Sequence, residues 1–136
     1  MTTRMVAAEP VSRTAVYPSR SATADVGDHL AIAMGTKGVV TRLCPALFGS
    51  CWTYAGAMAP GQTSASDLAR LYRVRALGRE SAVYGVAGSP IAHSASPAMH
   101  NAAFAHLGAD AVYVPLESDD VDDLLEAAAG LGLRGV

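Results

Sequence analysis

The feature that most constrains the fold is a regular alternation of short apolar stretches with helix-like stretches after residue 28. The apolar stretches, bounded by Gly or Pro, predict strands at residues 29–34, 51–57, 81–88, 111–117 and 133–136. The helix-like stretches lie at residues 35–50, 64–77, 96–108 and 119–132. Alternating elements of these lengths are typical of an α/β fold in which parallel strands are joined by right-handed crossovers.

Capping signals support three of the predicted helices. Ser96 is expected at the N-cap of the 96–108 helix, with Pro97 at its first helical position and Gly108 just past its end. Ser64 or Ser66 is the expected N-cap of the 64–77 helix. Four aspartates near the start of the last helix complement its dipole.

Composition limits the class of protein. A length of 136 residues suits one ordinary domain, and a polar seam near residues 78–81 is the best candidate for an internal boundary. The net charge of −2 predicts no nucleic-acid partner and no membrane-surface binding, and no apolar run is long enough to span a bilayer. Cys44 and Cys51 are too few for a disulfide framework or a zinc site, so we expect buried thiols in a reducing cytoplasm.

The first 28 residues carry no recognisable element and are expected to be disordered or unassigned. Arg4, Arg13 and Arg20 lie among Ser, Thr and Ala, and the apolar core of a secretory signal is missing. The same composition also fits an organellar transit peptide. The expected location is therefore the cytoplasm, or a plastid if this segment is a leader.

The stretch GSPIAHSASPAMHN, residues 88–101, predicts a small anion-binding site. Ser94 and Ser96 alternate along an extended loop between a strand and a helix, so both hydroxyls can point the same way. Helix N-termini present unpaired N–H donors, and open α/β sheets place ligands at the carboxyl ends of strands. We therefore expect a carboxylate pocket here, although for Ser96 alone an N-cap role is an equally good explanation.

Other chemistries fit this stretch poorly. His93 adjoins Ser94, but neighbouring side chains point apart and no G-x-S-x-G elbow is present. His93, His100 and His106 lack metal-ligand spacing, which predicts no metal site. GVAGSP lacks the third glycine of a dinucleotide-binding turn and is interrupted by Pro90.

Residues 84–116 resemble the start of the substrate-binding domain of shikimate dehydrogenase, in which a strand is followed by G-x-P-I-x-H-S-x-S-P and a helix containing H-N. The resemblance implies that Ser94 and Ser96 bind the carboxylate of shikimate. It also implies NADP as the cofactor of the whole enzyme, held by a nucleotide-binding domain outside this sequence.

Residues 29–77 resemble the closing part of a type I 3-dehydroquinate dehydratase, a (β/α)₈ barrel that forms a Schiff base with its substrate. The matching marks are M-G-x-x-G-x-x-x-R, F-G-S and A-P-G-Q. They imply that Arg42 pairs with the substrate carboxylate and that Gln62 binds a substrate hydroxyl. Met58 stands where the family commonly has serine, and the Schiff-base lysine is expected from an earlier strand, not from Lys37.

Together these resemblances imply a bifunctional dehydratase/dehydrogenase of the shikimate pathway. Residues 29–78 would supply the last two β/α units of the barrel, and residues 82–136 the first units of an open α/β substrate-binding domain. Because the family's catalytic lysines and nucleotide domain are expected elsewhere, we expect this chain alone to catalyse neither reaction. The alternatives are a stand-alone binder of shikimate-like acids and an interaction module that docks through residues 64–77 and 119–132.

Overall fold

The computed structural model describes residues 4–8, 27–58 and 61–136, with residues 4–8 described as backbone only. Most of the segment predicted to be disordered, unassigned or a leader lies outside these residues, as do Ala59 and Pro60 of the A-P-G-Q loop. Within the described part, no helix is long and apolar enough to cross a membrane.

Two parallel strands form the first sheet. β1 (Arg4–Ala8) pairs with β2 (His29–Ala33), with Arg4 opposite His29 and Ala8 opposite Ala33. The sequence assigned no element to residues 4–8, so β1 is a strand that the pattern analysis did not find. β2 confirms the predicted strand to within one residue.

The strand predicted at residues 51–57 does not form, and that prediction is wrong. The chain runs beside β2 for a single bridge, between His29 and Ser50, and then leaves the sheet. In a parallel ladder, alternate residues direct their backbone groups to opposite neighbours. On the side of β2 that faces away from β1, side chains form hydrogen bonds with these backbone N–H and C=O groups.

Three side chains of the connection following β2 cover this edge. Ser50 Oγ accepts a hydrogen bond from the N–H of Ala31 at 2.8 Å. Thr41 Oγ1 accepts one from the N–H of Ala33 at 3.1 Å, and Arg42 Nη1 donates to the carbonyl of Ala33 at 3.1 Å. A further strand cannot pair with β2 at these positions, because these backbone groups are already hydrogen-bonded.

A short helical connection holds these side chains in place. The stretch predicted to be helix-like forms α1 (Val39–Leu43) and a single 3-10 turn, Pro45–Phe48. Gly38 lets α1 lie tightly against the sheet, because a Cβ there would come within 2.2 Å of the Ala33 carbonyl oxygen. α1 begins with no side-chain cap, so its position depends on this packing.

The next helix is shorter than predicted. α2 (Ala65–Arg70) begins after Ser64, whose Oγ accepts a hydrogen bond from the Asp67 N–H at 3.0 Å, and this confirms Ser64 as the N-cap. It does not continue to residue 77, because Arg73 adopts a left-handed conformation with φ of 49°. The Arg73 guanidinium donates to the Ala111 carbonyl at 3.0 Å and so ties this turn to the start of the following sheet.

The second sheet has three parallel strands in the order β4-β3-β5. They are β3 (Ala82–Gly88), β4 (Ala111–Glu117) and β5 (Leu133–Gly135). The crossovers are α3 (Ser96–Leu107) and α4 (Val121–Leu131), which end at the left-handed glycines Gly108 and Gly132. These elements confirm the predicted strand–helix order of the second half.

The described strands therefore give an α/β fold with parallel sheets, as expected, in which the two sheets show no closed barrel. One apolar core serves both halves of the chain: Val40, Leu43 and Phe48 belong to the same buried cluster as Val83 and Val112. The seam at residues 78–81 is also anchored, since the Gly78 N–H donates to Ser81 Oγ and the Ser81 hydroxyl donates to the Asp110 carboxylate.

Candidate functional site

The loop from β3 to α3 holds the predicted serine pair at the carboxyl end of a strand. After Gly88 the chain passes a cis Ser89–Pro90 bond, and the Ser94 N–H donates to the Ile91 carbonyl at 3.0 Å to close a turn. Ser94 and Ser96 are both half-buried. The structure thus brings the two residues together, where an open α/β sheet presents ligand-binding loops.

Ser96 is not the N-cap that the sequence predicted. It is the first residue of α3, Ala95 occupies the cap position, and no side chain caps the helix. The nearest substitute is Ser94, whose Oγ accepts a 3.3 Å hydrogen bond from the Ser96 N–H. Ser96 therefore loses the structural role that competed with ligand binding.

The donors at this helix start are available. Among the residues that the structure describes, neither the Ser94 nor the Ser96 hydroxyl donates a hydrogen bond, and the N–H of Ala98 has no acceptor. Pro97 has no N–H to satisfy. Two hydroxyls and an unpaired amide at the positive end of a helix can bind a carboxylate.

The first turn of α3 is fixed to the sheet by His100 and Asn101. His100 Nδ1 lies 2.9 Å from the Ser96 carbonyl, and the imidazole stacks on the Tyr113 ring with centroids 4.1 Å apart. Asn101 is buried and exchanges two hydrogen bonds of 2.8 Å with the backbone of Tyr113. In the sequence these two residues stand out only as the H-N of a motif, although a lone Asn in an Ala-rich helix is a usable signal of a buried polar contact.

Arg42 lies in α1, in the first half of the chain, and is only 3% exposed. Its guanidinium contacts the Ala33 carbonyl and, at 3.6 Å, the Met34 Sδ, and burial lowers its pKa below the ordinary value. No carboxylate in the described ranges lies within ion-pair distance. A buried cation of this kind is suited to bind an acid.

Gln62 is adjacent to this arginine but faces its own loop. A Cβ placed on Gly61 would lie 3.3 Å from Arg42 Nη1, so the loop that carries Gln62 runs beside the guanidinium. The Gln62 Oε1 accepts a hydrogen bond from the Met58 N–H at 2.8 Å. The Met58 side chain is 96% exposed and makes no packing contribution at this corner.

A cavity of about 200 Å³ lies between the two halves of the chain. Its lining comes from both halves of the chain: Thr36, Val39 and Gly61 from the first, and Ile91, Ala92, Pro115 and Glu117 from the second. None of the four predicted site residues lines it.

Lys37 forms an ion pair with Asp123 of α4, with Nζ 2.5 Å from the carboxylate. The expectation that Lys37 is not the Schiff-base lysine stays a prediction. Cys51 differs from expectation: its side chain is exposed, and its thiol donates to the His29 carbonyl, whereas Cys44 is buried.

The described residues do not fit a nicotinamide nucleotide. A phosphate cradle needs a glycine-rich turn that leads directly into a helix. Here α3 begins eight residues after Gly88, and the intervening loop contains the cis Ser89–Pro90 bond and the turn closed between Ser94 and Ile91. Within the described ranges, no group of three His, Cys, Asp or Glu side chains is arranged to hold a metal ion.

Comparison with known proteins divides the chain at the seam. Residues 16–79 match the family described as Type I 3-dehydroquinase, and residues 86–136 match the Shikimate dehydrogenase substrate binding domain. The Arabidopsis thaliana protein named "Bifunctional 3-dehydroquinate dehydratase/shikimate dehydrogenase, chloroplastic" is 34% identical over 111 residues, which are 78% of this chain and 18% of that protein.

Shorter matches cover the second half. "Shikimate dehydrogenase (NADP(+))" of Anaeromyxobacter dehalogenans is 54% identical over 57 residues, covering 40% of this chain and 20% of that protein. A solved chain described as "Dehydroquinate dehydratase and shikimate dehydrogenase" from S. pombe is 24% identical with a TM-score of 0.32, covering 78% of this chain and 20% of its own. This chain thus spans about a fifth of the length of the relatives it matches.

Proposed function

We propose that this chain binds shikimate-like acids through Ser94 and Ser96. The proposal is supported by the matches of residues 16–79 to the Type I 3-dehydroquinase family and of residues 86–136 to the shikimate dehydrogenase substrate binding domain. The proposal rests on one observation: at the start of α3, the hydroxyls of Ser94 and Ser96 donate no hydrogen bond and the N–H of Ala98 has no acceptor among the described residues. Both the local geometry and the matched family favour a carboxylate as the group bound there.

Binding without turnover is the proposed activity of this chain. Hydride transfer needs a nicotinamide held beside the substrate and an acid or base at its hydroxyl. The described residues offer no nucleotide cradle, so we expect no reduction of 3-dehydroshikimate by NADPH when only this chain is present. In the whole enzyme, the serines would orient the acid for NADP-dependent chemistry performed by other residues.

A second carboxylate site is favoured by Arg42. We propose that its buried guanidinium, which has no carboxylate partner in the described part of the chain, binds 3-dehydroquinate in a complete dehydratase barrel. Gln62 would then leave the Met58 N–H and contact a substrate hydroxyl. A bidentate pair between arginine and a carboxylate suits this role, because the planar fork matches both oxygens.

The serine proposal is tested by titrating the isotopically labelled chain with shikimate and following amide shifts in NMR spectra. Shifts are expected at the amides of Ser94, Ala95, Ser96 and Ala98. Ser94→Ala and Ser96→Ala should each weaken binding by roughly tenfold or more, because each removes a hydrogen bond to a charged group worth about 1.5–3 kcal/mol.

Ser66→Ala is the matched control, since Ser66 is exposed on α2 and its hydroxyl makes no hydrogen bond in the described structure. It should bind like the unsubstituted chain. Methyl shikimate, which lacks the negative charge, should shift the same amides far less at equal concentration. Equal binding of shikimate by the double serine variant would overturn the proposal.

A further inference from the structure

We propose that His100 is a positioning residue for the serine pair, acting through the backbone of Ser96. This inference rests on the proposed carboxylate site, and it assigns to the histidine a task that the serines cannot perform themselves. Ser94 and Ser96 lie on a loop and on an uncapped first turn, where side chains alone give little restraint.

The contact between His100 and Ser96 has a defined chemistry. A carbonyl oxygen only accepts hydrogen bonds, so the 2.9 Å approach of His100 Nδ1 to the Ser96 carbonyl requires the proton on Nδ1. The ring is therefore a donor that holds the Ser96 carbonyl, which belongs to the peptide group joining Ser96 to Pro97. On the amino side, the Ser96 N–H is held by Ser94 Oγ at 3.3 Å.

The imidazole is itself held by the sheet. It stacks on the Tyr113 ring with an angle of 8° between the planes and 4.1 Å between centroids. Tyr113 lies in β4, opposite Tyr84 of β3, and its N–H and carbonyl are both bonded to the buried Asn101 side chain. The contacts thus run from β4 through His100 to Ser96, and from the Ser96 amide to the Ser94 hydroxyl.

This arrangement predicts that the hydrogen bond from His100 Nδ1, more than the stacking of its ring on Tyr113, determines the geometry of the serine pair. His100→Phe keeps an aromatic ring against Tyr113 but removes the donor. His100→Asn removes the ring but places an amide N–H close to the position of Nδ1. His106→Phe is the control, because His106 is an exposed histidine near the other end of the same helix.

The variants are compared in the full 136-residue chain by hydrogen exchange of the Ser96 amide and by the dissociation constant for shikimate. We expect His100→Phe to exchange this amide severalfold faster and to bind roughly threefold to tenfold more weakly, the range set by one net hydrogen bond. His100→Asn and His106→Phe should remain close to the unsubstituted chain in both measurements.

The opposite order of variants would overturn the inference: if His100 serves only packing, His100→Phe behaves normally and His100→Asn is impaired. Unchanged exchange and affinity in both His100 variants would overturn it as well, while leaving the serine site intact. Absence of shikimate binding by the unsubstituted chain is a different result, since it refutes the proposed function from which this inference starts.

Discussion

Replacing Asn101 with Ala is expected to cost a large part of the stability of this chain. The side chain is 2% exposed and makes two hydrogen bonds of 2.8 Å to the N–H and carbonyl of Tyr113. Each bond contributes about 1 kcal/mol net, and half-buried polar groups left without partners add about 1 kcal/mol more. The expected loss is therefore about 2–4 kcal/mol, against a usual total of about 5–15 kcal/mol.

Because of the position of β4, no other backbone group is expected to replace the two hydrogen bonds lost from Tyr113. β4 is an outer strand of the β4-β3-β5 sheet, so the outward backbone groups of Tyr113 have no neighbouring strand within that sheet. An unpaired outer strand is prone to join other chains. Asn101→Ala should therefore also increase concentration-dependent association.

Urea unfolding followed by circular dichroism measures the change in the free energy of unfolding. Met99→Ala is the matched control on the same helix, because Met99 is 63% exposed, and it should change the free energy by less than about 0.5 kcal/mol. If Asn101→Ala is no more destabilised than Met99→Ala, the reasoning that the side chain anchors α3 to β4 is refuted.

Two further outcomes concern stability. Burial, together with Cys44 and Asp67, raises the pKa of Tyr72 from 10.0 to about 12, so the folded chain favours the neutral side chain. The free energy of unfolding therefore keeps its full contribution from Tyr72 below pH 10 and loses it as the pH rises towards 12. Tyr72→Phe should abolish that alkaline loss in urea unfolding, and an equal loss in both proteins would contradict it. Gly38→Ala should lower the free energy of unfolding by about 1–3 kcal/mol, because its Cβ would lie 2.2 Å from the Ala33 carbonyl oxygen. Gly78→Ala is the control, since a Cβ there would have nothing within 4 Å. Equal melting temperatures of the two variants would disprove the close packing at Gly38.

The sequence pattern predicts an element correctly where the element is determined by its own residues and their immediate neighbours. The predicted strand at residues 111–117 is β4 residue for residue, because Val and Tyr alternate between clear breaks. Gly108 ends α3 as predicted, since it adopts the left-handed conformation that other residues avoid. The serine pair was likewise located from a strand, a proline and a helix start.

Distant contacts decided the elements that pattern analysis missed. Residues 51–57 have the composition of a strand, but Ser50, Thr41 and Arg42 occupy the backbone groups it needed. α2 ends before a turn in which Arg73 adopts a left-handed conformation and bonds to a carbonyl 38 residues away.

The candidate site follows the same division. The motif placed Ser94 and Ser96, but His100 and Asn101 act through Tyr113, which belongs to another element. No local periodicity carries that information, because it arises only once α3 has packed on β4.

The common interior of the two halves has a consequence for anyone who wishes to handle them separately. Cutting the chain at residues 78–81 would separate Leu43 and Phe48 from Val83 and Val112, which share one buried apolar cluster, and would expose both new faces to water. The boundary between the two family matches is therefore not a boundary in the apolar core, and each piece expressed by itself would leave apolar surface exposed.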